Sequence, residues 1–137
     1  MTRSPLSSLA LRLTPGADLK LSLLEFAQVH ELQAGFILTA VGSLQAAHLR
    51  YAGQAEGEQR QQRFEIVSLV GTFSAQAAHL HIALADAQGK LLGGHALPGC
   101  IIYTTAEIVV GELNAIAFNR APDPQTGYQE LVIEPRR

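Results

Sequence analysis

The spacing of hydrophobic residues changes period along this chain. Between Ala17 and Leu32, Leu19, Leu23, Phe26 and Ala27 recur at intervals of three and four, and His30 extends the stripe. That period predicts one amphipathic helix, with Asp18 in a first turn where a carboxylate suits the helix dipole. Ahead of it, Leu9 to Leu13 reads as a strand stopped by Thr14-Pro15-Gly16, and Gly35 marks the helix exit or the start of the next strand. Beyond Gly35 the pattern is almost entirely strand. GFILTAVGSL, AAHLRYA and RFEIVSLVGTF form β-rich segments, AHLHIALAD and KLLGGHALPG form a hairpin, and CIIYTTAEIVVGEL is one long strand. NAIAFNR and YQELVIE close the chain around the turn APDPQTG, and the Gly53–Gln62 stretch is a hairpin loop or a mobile connection. One helix followed by many strands on short loops predicts an α+β fold: a largely antiparallel β-sheet packed by one main helix, in a single domain spanning 1–137 with its core at about 9–133.

The hairpin concentrates the chemistry. In a strand at residues 78–86, Leu80, Ile82 and Leu84 point to one face, while His79, His81 and Ala83 point to the other. The leucine face suits the core, which leaves two imidazoles about 7 Å apart at their backbones on the opposite face. The turn decides where His95 lies. A three-residue loop, Ala87-Gln88-Gly89, with Gly89 in the left-handed conformation pairs Asp86 with Lys90 and sets His81 opposite His95. A two-residue turn shifts the register by one and sends His95 to the other side, and a bulge at Gly93-Gly94 changes it again. Paired glycines beside a ligand residue also suit close approach of backbone to something bound.

Three neutral imidazoles around zinc, with a fourth position open, form an attested catalytic arrangement. Solvent-facing or interface histidines are the alternative. His30 and His48 read as structural. A metal site doing chemistry also wants a carboxylate. Glu107 and Glu112 lie on the long strand at odd spacing, so only one of them can face a given side, and an edge salt bridge explains either. Arg50 or Arg120 offers a guanidinium for an anionic substrate, with surface or intersubunit pairing as the other role.

Composition narrows the function classes. Of 137 residues, 47% are hydrophobic but only 16% are charged, against roughly 25% in ordinary soluble domains. Surface that poor in charge predicts a homo-oligomer, since interface cores are depleted in charge; a monomer with an apolar surface is the alternative. With 10 Lys and Arg against 12 Asp and Glu, the net charge is −2 and the basic residues are scattered. Direct binding to nucleic acid, which requires a basic stripe, is therefore expected to be weak. Cys100 is the single cysteine, which excludes an internal disulfide and a thiolate zinc site and fits a reducing cytoplasm. Cys100 also lacks a neighbouring His/Asp pattern and enters an apolar strand, so it reads as a small buried hydrophobe. No run of 18 apolar residues predicts a membrane span, and no phosphate-loop spacing is present.

Taken in order, GFILTAVGSLQAAHLRY, HLHIALADAQGKLLGGH, TTAEIVVGEL and AFNRAPDPQTGYQELVI resemble the PPC (plants and prokaryotes conserved) domain over about Leu9 to Ile133. The HxH followed by GGH is the most specific part. The resemblance implies an α+β domain that assembles as a homotrimer. In plants this domain is coupled to AT-hooks that bind the DNA minor groove, and its stand-alone prokaryotic members are commonly described as predicted DNA-binding proteins. An AT-hook needs an Arg-Gly-Arg core, and none occurs within this chain. The fold is also similar to that of acetolactate decarboxylase and of a zinc-dependent ester hydrolase, which hold metal through an HxH pair and a further histidine. That likeness implies a metal at His79, His81 and His95 and nothing at other positions. Two functions follow as expectations. One is a trimeric binding and assembly module that associates with DNA-bound partners or a small ligand, by the resemblance a DNA-binding or regulatory protein; the other is a metal-dependent, decarboxylase- or hydrolase-like enzyme acting on a small oxygenated substrate.

Overall fold

Ten elements account for most of the chain in a computed structural model that describes residues 2–137. The helix α1 (Leu19–Val29) is shorter at both ends than the span of about Ala17 to Leu32 that its period predicts. Asp18 is not inside the first turn but caps it, accepting from the Leu21 N–H at 3.1 Å through one carboxylate oxygen and from the Gly99 N–H at 2.7 Å through the other. At the other end, Glu31 takes φ 52°, the Glu31 N–H donates to the Gln28 carbonyl and the Leu32 N–H to the Ala27 carbonyl. This is a Schellman closure built without glycine. His30 is therefore the C-cap residue, with its ring 4.4 Å from that of Phe26.

All strand pairings are antiparallel. The main sheet joins β1 (Leu6–Leu13), β7 (Ile101–Leu113), β2 (Gly35–Arg50), β4 (Phe64–Phe73), β5 (Ala78–Ala85) and β6 (Leu91–Ala96) in that order. A three-residue strand, β3 (Glu58–Arg60), pairs with β2, so the stretch after Gly53 is a hairpin. The two β-rich segments after Gly35 are one strand, whose register against β7 slips between Ile37/Thr39, Gly42/Leu44 and Leu44/Ala46. Such irregularities bend and twist a strand. The bend lets the far end of β2 pair with β6, Leu49 opposite Ala96 and Arg50 opposite His95, so the sheet curls back on itself. A separate two-stranded sheet holds β8 (Ile116–Pro122) and β9 (Gln129–Pro135).

The core lies on the concave side. Leu19, Leu23 and Ala27 of α1 are fully buried against Leu44, Phe64, Phe73, Leu80, Leu84 and Ile108. Cys100 joins this core; its thiol donates to the His48 carbonyl at 3.5 Å, and burial pushes the thiol pKa up, which disfavours the thiolate. The outer face carries apolar side chains without cover. Val67 and Val70 on β4 and Leu38 and Val41 on β2 are 46–58% exposed. The helix is too short to cross a membrane, and no helix among the described residues is long and apolar enough to do so.

Candidate metal centre

The hairpin loop fixes the site. Gly89 sits at φ 79°, the Asp86 N–H donates to the Lys90 carbonyl at 2.9 Å and the Gly89 N–H to the Asp86 carbonyl at 2.9 Å. The Asp86 carboxylate accepts from the N–H groups of Gln88 and Lys90, each at 2.9 Å. A three-residue loop results, and the ladder runs unbroken from Ala85↔Leu91 to His81↔His95. Gly93 and Gly94 make no bulge. A Cβ on Gly93 would lie 2.5 Å from the Ile82 carbonyl oxygen, and one on Gly94 2.7 Å from that of Arg50. The glycine pair therefore serves the close approach of β6 to β5 and β2, rather than approach to a ligand.

His79 and His81 point away from the buried face of Leu80, Ile82 and Leu84, and His95 joins them across the ladder. Ring centroids are 5.0 Å apart for His79–His81, 4.9 Å for His79–His95 and 4.5 Å for His81–His95. One nitrogen from each ring lies within 4.8 Å of the others. Two nitrogens sharing a tetrahedral zinc sit about 3.3 Å apart, given Zn–N bonds of about 2.0–2.1 Å. Three imidazoles at that separation can hold a divalent metal.

The electrostatics favour the ligating form. His79 is held below the ordinary histidine value, first by burial, then by His81 and Arg120, against an opposing pull from Glu130. His95 is lowered by burial, then by Arg50 and the other two histidines. Uncharged imidazole is the metal ligand. The sign of the pH effect follows. As pH falls below about 6.5, unfolded histidines protonate before these two, so the unfolded chain binds more protons and stability declines. The Tm of metal-free protein is expected to drop from about pH 7 to about pH 5, and to drop less in a His79→Gln/His95→Gln double variant; equal slopes in thermal melts would refute the assignment.

Around the histidines lies an open cavity of about 570 Å³ that Lys20, Arg50, Arg120, Tyr128 and Glu130 also line. Arg50 reaches it because β2 pairs with β6, and Arg120 and Glu130 come from the β8–β9 sheet. The carboxylates expected from the long strand are elsewhere. Glu107 is solvent-exposed on β7 opposite Arg12, and Glu112 is buried, accepting from the Gln33 N–H and the Arg136 guanidinium, each at 3.2 Å. Neither lines the histidine cavity. The carboxylate that does is Glu130, whose Oε1 accepts from the Thr126 hydroxyl at 3.0 Å. Nothing in the sequence around Glu130 signals this, because it reaches the site through packing of a second sheet. His48 lies outside the cluster, its Nδ1 2.7 Å from the Pro98 carbonyl oxygen.

Comparison with known proteins adds four findings. The sequence model of the Plants and Prokaryotes Conserved (PCC) domain matches residues 2–114. A protein of Synechococcus sp. (strain JA-3-3Ab) named bifunctional protein GlmU is 55% identical over 124 residues, 90% of this chain but 20% of that protein's length. Among solved structures, a hypothetical protein of Salmonella enterica is 43% identical with a TM-score of 0.97, covering 99% of both chains. A metal-containing protein of Archaeoglobus fulgidus is 28% identical with a TM-score of 0.80, covering 96% of this chain and 99% of that one.

Proposed function

The chain belongs to the Plants and Prokaryotes Conserved domain family (PCC, also written PPC), and from that premise we propose that it is a homotrimeric binding module holding one divalent metal, zinc, at His79, His81 and His95 of each subunit. The observation that carries this is the convergence of three imidazoles, their nitrogens within 4.8 Å, on a sheet face outside the core. The similar Archaeoglobus fulgidus protein contains metal, which supports it. Imidazole nitrogens and an open position suit zinc. The test is the metal content of protein purified without chelator. About one zinc per chain is expected, and a clean absence of stoichiometric metal after zinc is offered would reject the proposal.

Trimer formation is supported by the uncovered apolar face. Val70 lies directly opposite His81 in the β4–β5 ladder, so the patch adjoins the metal position. Exposed apolar patches rimmed by polar residues mark interfaces. A Val67→Glu/Val70→Glu double variant is expected to turn the trimer into monomer by light scattering, while retaining its circular dichroism spectrum. A wild-type mass equal to one chain would contradict the assembly.

A second reading is a metal-dependent enzyme, favoured by the space beyond the imidazoles and by Glu130 as a carboxylate within the same cavity. A bound zinc would supply Lewis-acid polarisation of an oxygen-bearing ligand. Glu130 would accept or hold a proton, and Arg50 and Arg120 would orient an anionic group. Direct reading of DNA is disfavoured by the scattered cations and the net charge of −2. A reducing cytoplasm as the compartment is supported by the lone buried thiol.

A further inference from the structure

Carboxylates around a cation site would add attraction, and the surroundings of these histidines carry mainly the opposite charge. Lys20 from α1, Arg50 from the end of β2 and Arg120 from β8 line the histidine cavity against one carboxylate, Glu130. Among the described residues, the ion pairs are Arg60–Glu58 and Arg136–Glu112, so none of the three cations is held in an ion pair. Arg50 donates to the Gln54 carbonyl at 3.3 Å, which leaves its charge uncompensated. Lys20 is half-buried and its pKa is lowered, first by that burial and then by Arg50, against a weaker opposing pull from Asp18, so two like charges are held near each other. The chain holds only 10 basic residues and is negative overall. Three of them in one cavity therefore concentrate positive potential where a divalent cation would be repelled by it.

An anion removes the contradiction. We propose that the cavity binds a small organic anion whose carboxylate or phosphate group is held by Arg50, Arg120 and Lys20, beside the metal position at His79, His81 and His95. The metal half of this geometry rests on the proposed function; the cationic half stands without it. Guanidinium groups present paired donors that match the oxygens of either head group. The cavity volume of about 570 Å³ lies in the range of small-molecule sites, about 300–1,000 Å³. A polymer backbone would instead need cations spread along a stripe, and these three are gathered in one concavity.

The test titrates sodium succinate and methyl phosphate into the full chain by calorimetry, metal-free and zinc-loaded, with ionic strength held constant by sodium chloride. One site per chain is expected for at least one of the two anions, and the one that binds identifies the head group. Arg50→Gln and Arg120→Gln should each weaken it at least tenfold, with Lys20→Gln as a third variant should either arginine change fail to give a native circular dichroism spectrum. Zinc affinity in the same variants should be unchanged or higher, because a repelling charge has been removed. Anion binding that persists without any zinc uptake would reject the metal centre and leave the anion site standing. The proposal is overturned if neither anion binds in either form, or if the arginine variants bind it as the wild type does. Loss of trimer mass in those variants, with no anion binding by the wild type, would instead assign the cations to subunit pairing and overturn it too.

Discussion

His81→Ala is expected to strip the protein of its metal, weakening zinc affinity by more than about 100-fold, since loss of an outer-shell partner alone costs about 10–100-fold. His81 is the central member of the cluster. It lies two residues from His79 on the same strand and directly opposite His95 on the next, and its ring is the nearest neighbour of His95 at 4.5 Å. Without it, two imidazoles remain, too few for a stable tetrahedral site. Its side chain is exposed on the face away from the core, so the fold should survive, with stability within about 0.5 kcal/mol of metal-free wild type. Competition with a chromophoric chelator reads the affinity, and chemical denaturation of metal-free protein reads the fold. His48→Ala provides the contrast. Its ring contacts the Pro98 carbonyl rather than the cluster, so it should cost stability while zinc affinity stays at the wild-type value.

Gly71→Ala is expected to cost about 3 kcal/mol or more, combining overpacking with backbone strain, and to weaken zinc binding as well. Gly71 on β4 has φ 153°, and a Cβ there would overlap the His79 carbonyl oxygen and come within 2.9 Å of the Leu80 Cα. Those atoms are backbone and cannot swing aside. Strand β5 must move as a unit, carrying His79 with it and lifting Leu80 from the core. Gly16 separates conformational cost from collision. At φ 87° it has nothing within 4 Å of a built Cβ and lies outside the histidine cavity, so Gly16→Ala should cost only about 1 kcal/mol from the left-handed backbone and leave the metal untouched. Denaturant midpoints with unchanged slopes, measured alongside zinc titrations, check both. Equal costs at the two glycines would show that strand collision is not what Gly71 relieves.

The parts of this site that were legible in the sequence are those set by short-range rules. Alternation along AHLHIALA separates the histidines from the leucines, and a loop closed by Gly89 and capped by the Asp86 carboxylate sets the register that brings in His95. The helix was legible by its period, but its end was not, because the stop is a left-handed Glu31 where a glycine would have announced it. Long-range placement left no local trace. Arg50 joins the cavity only because β2 bends and pairs with β6, and the site carboxylate comes from β9 rather than from the long β7, whose Glu112 is committed to Arg136. Lys20, on the helix, carries no sequence feature that separates it from an ordinary solvated side chain.

Whether residues 79, 81 and 95 bind a single metal ion is decided by diffraction data collected at the zinc absorption edge from crystals of zinc-loaded protein. The predicted result is one anomalous peak per chain, with a nitrogen from each of the three rings at about 2.0–2.1 Å. A peak bound by other residues, or by fewer than all three rings in protein saturated with zinc, would contradict it.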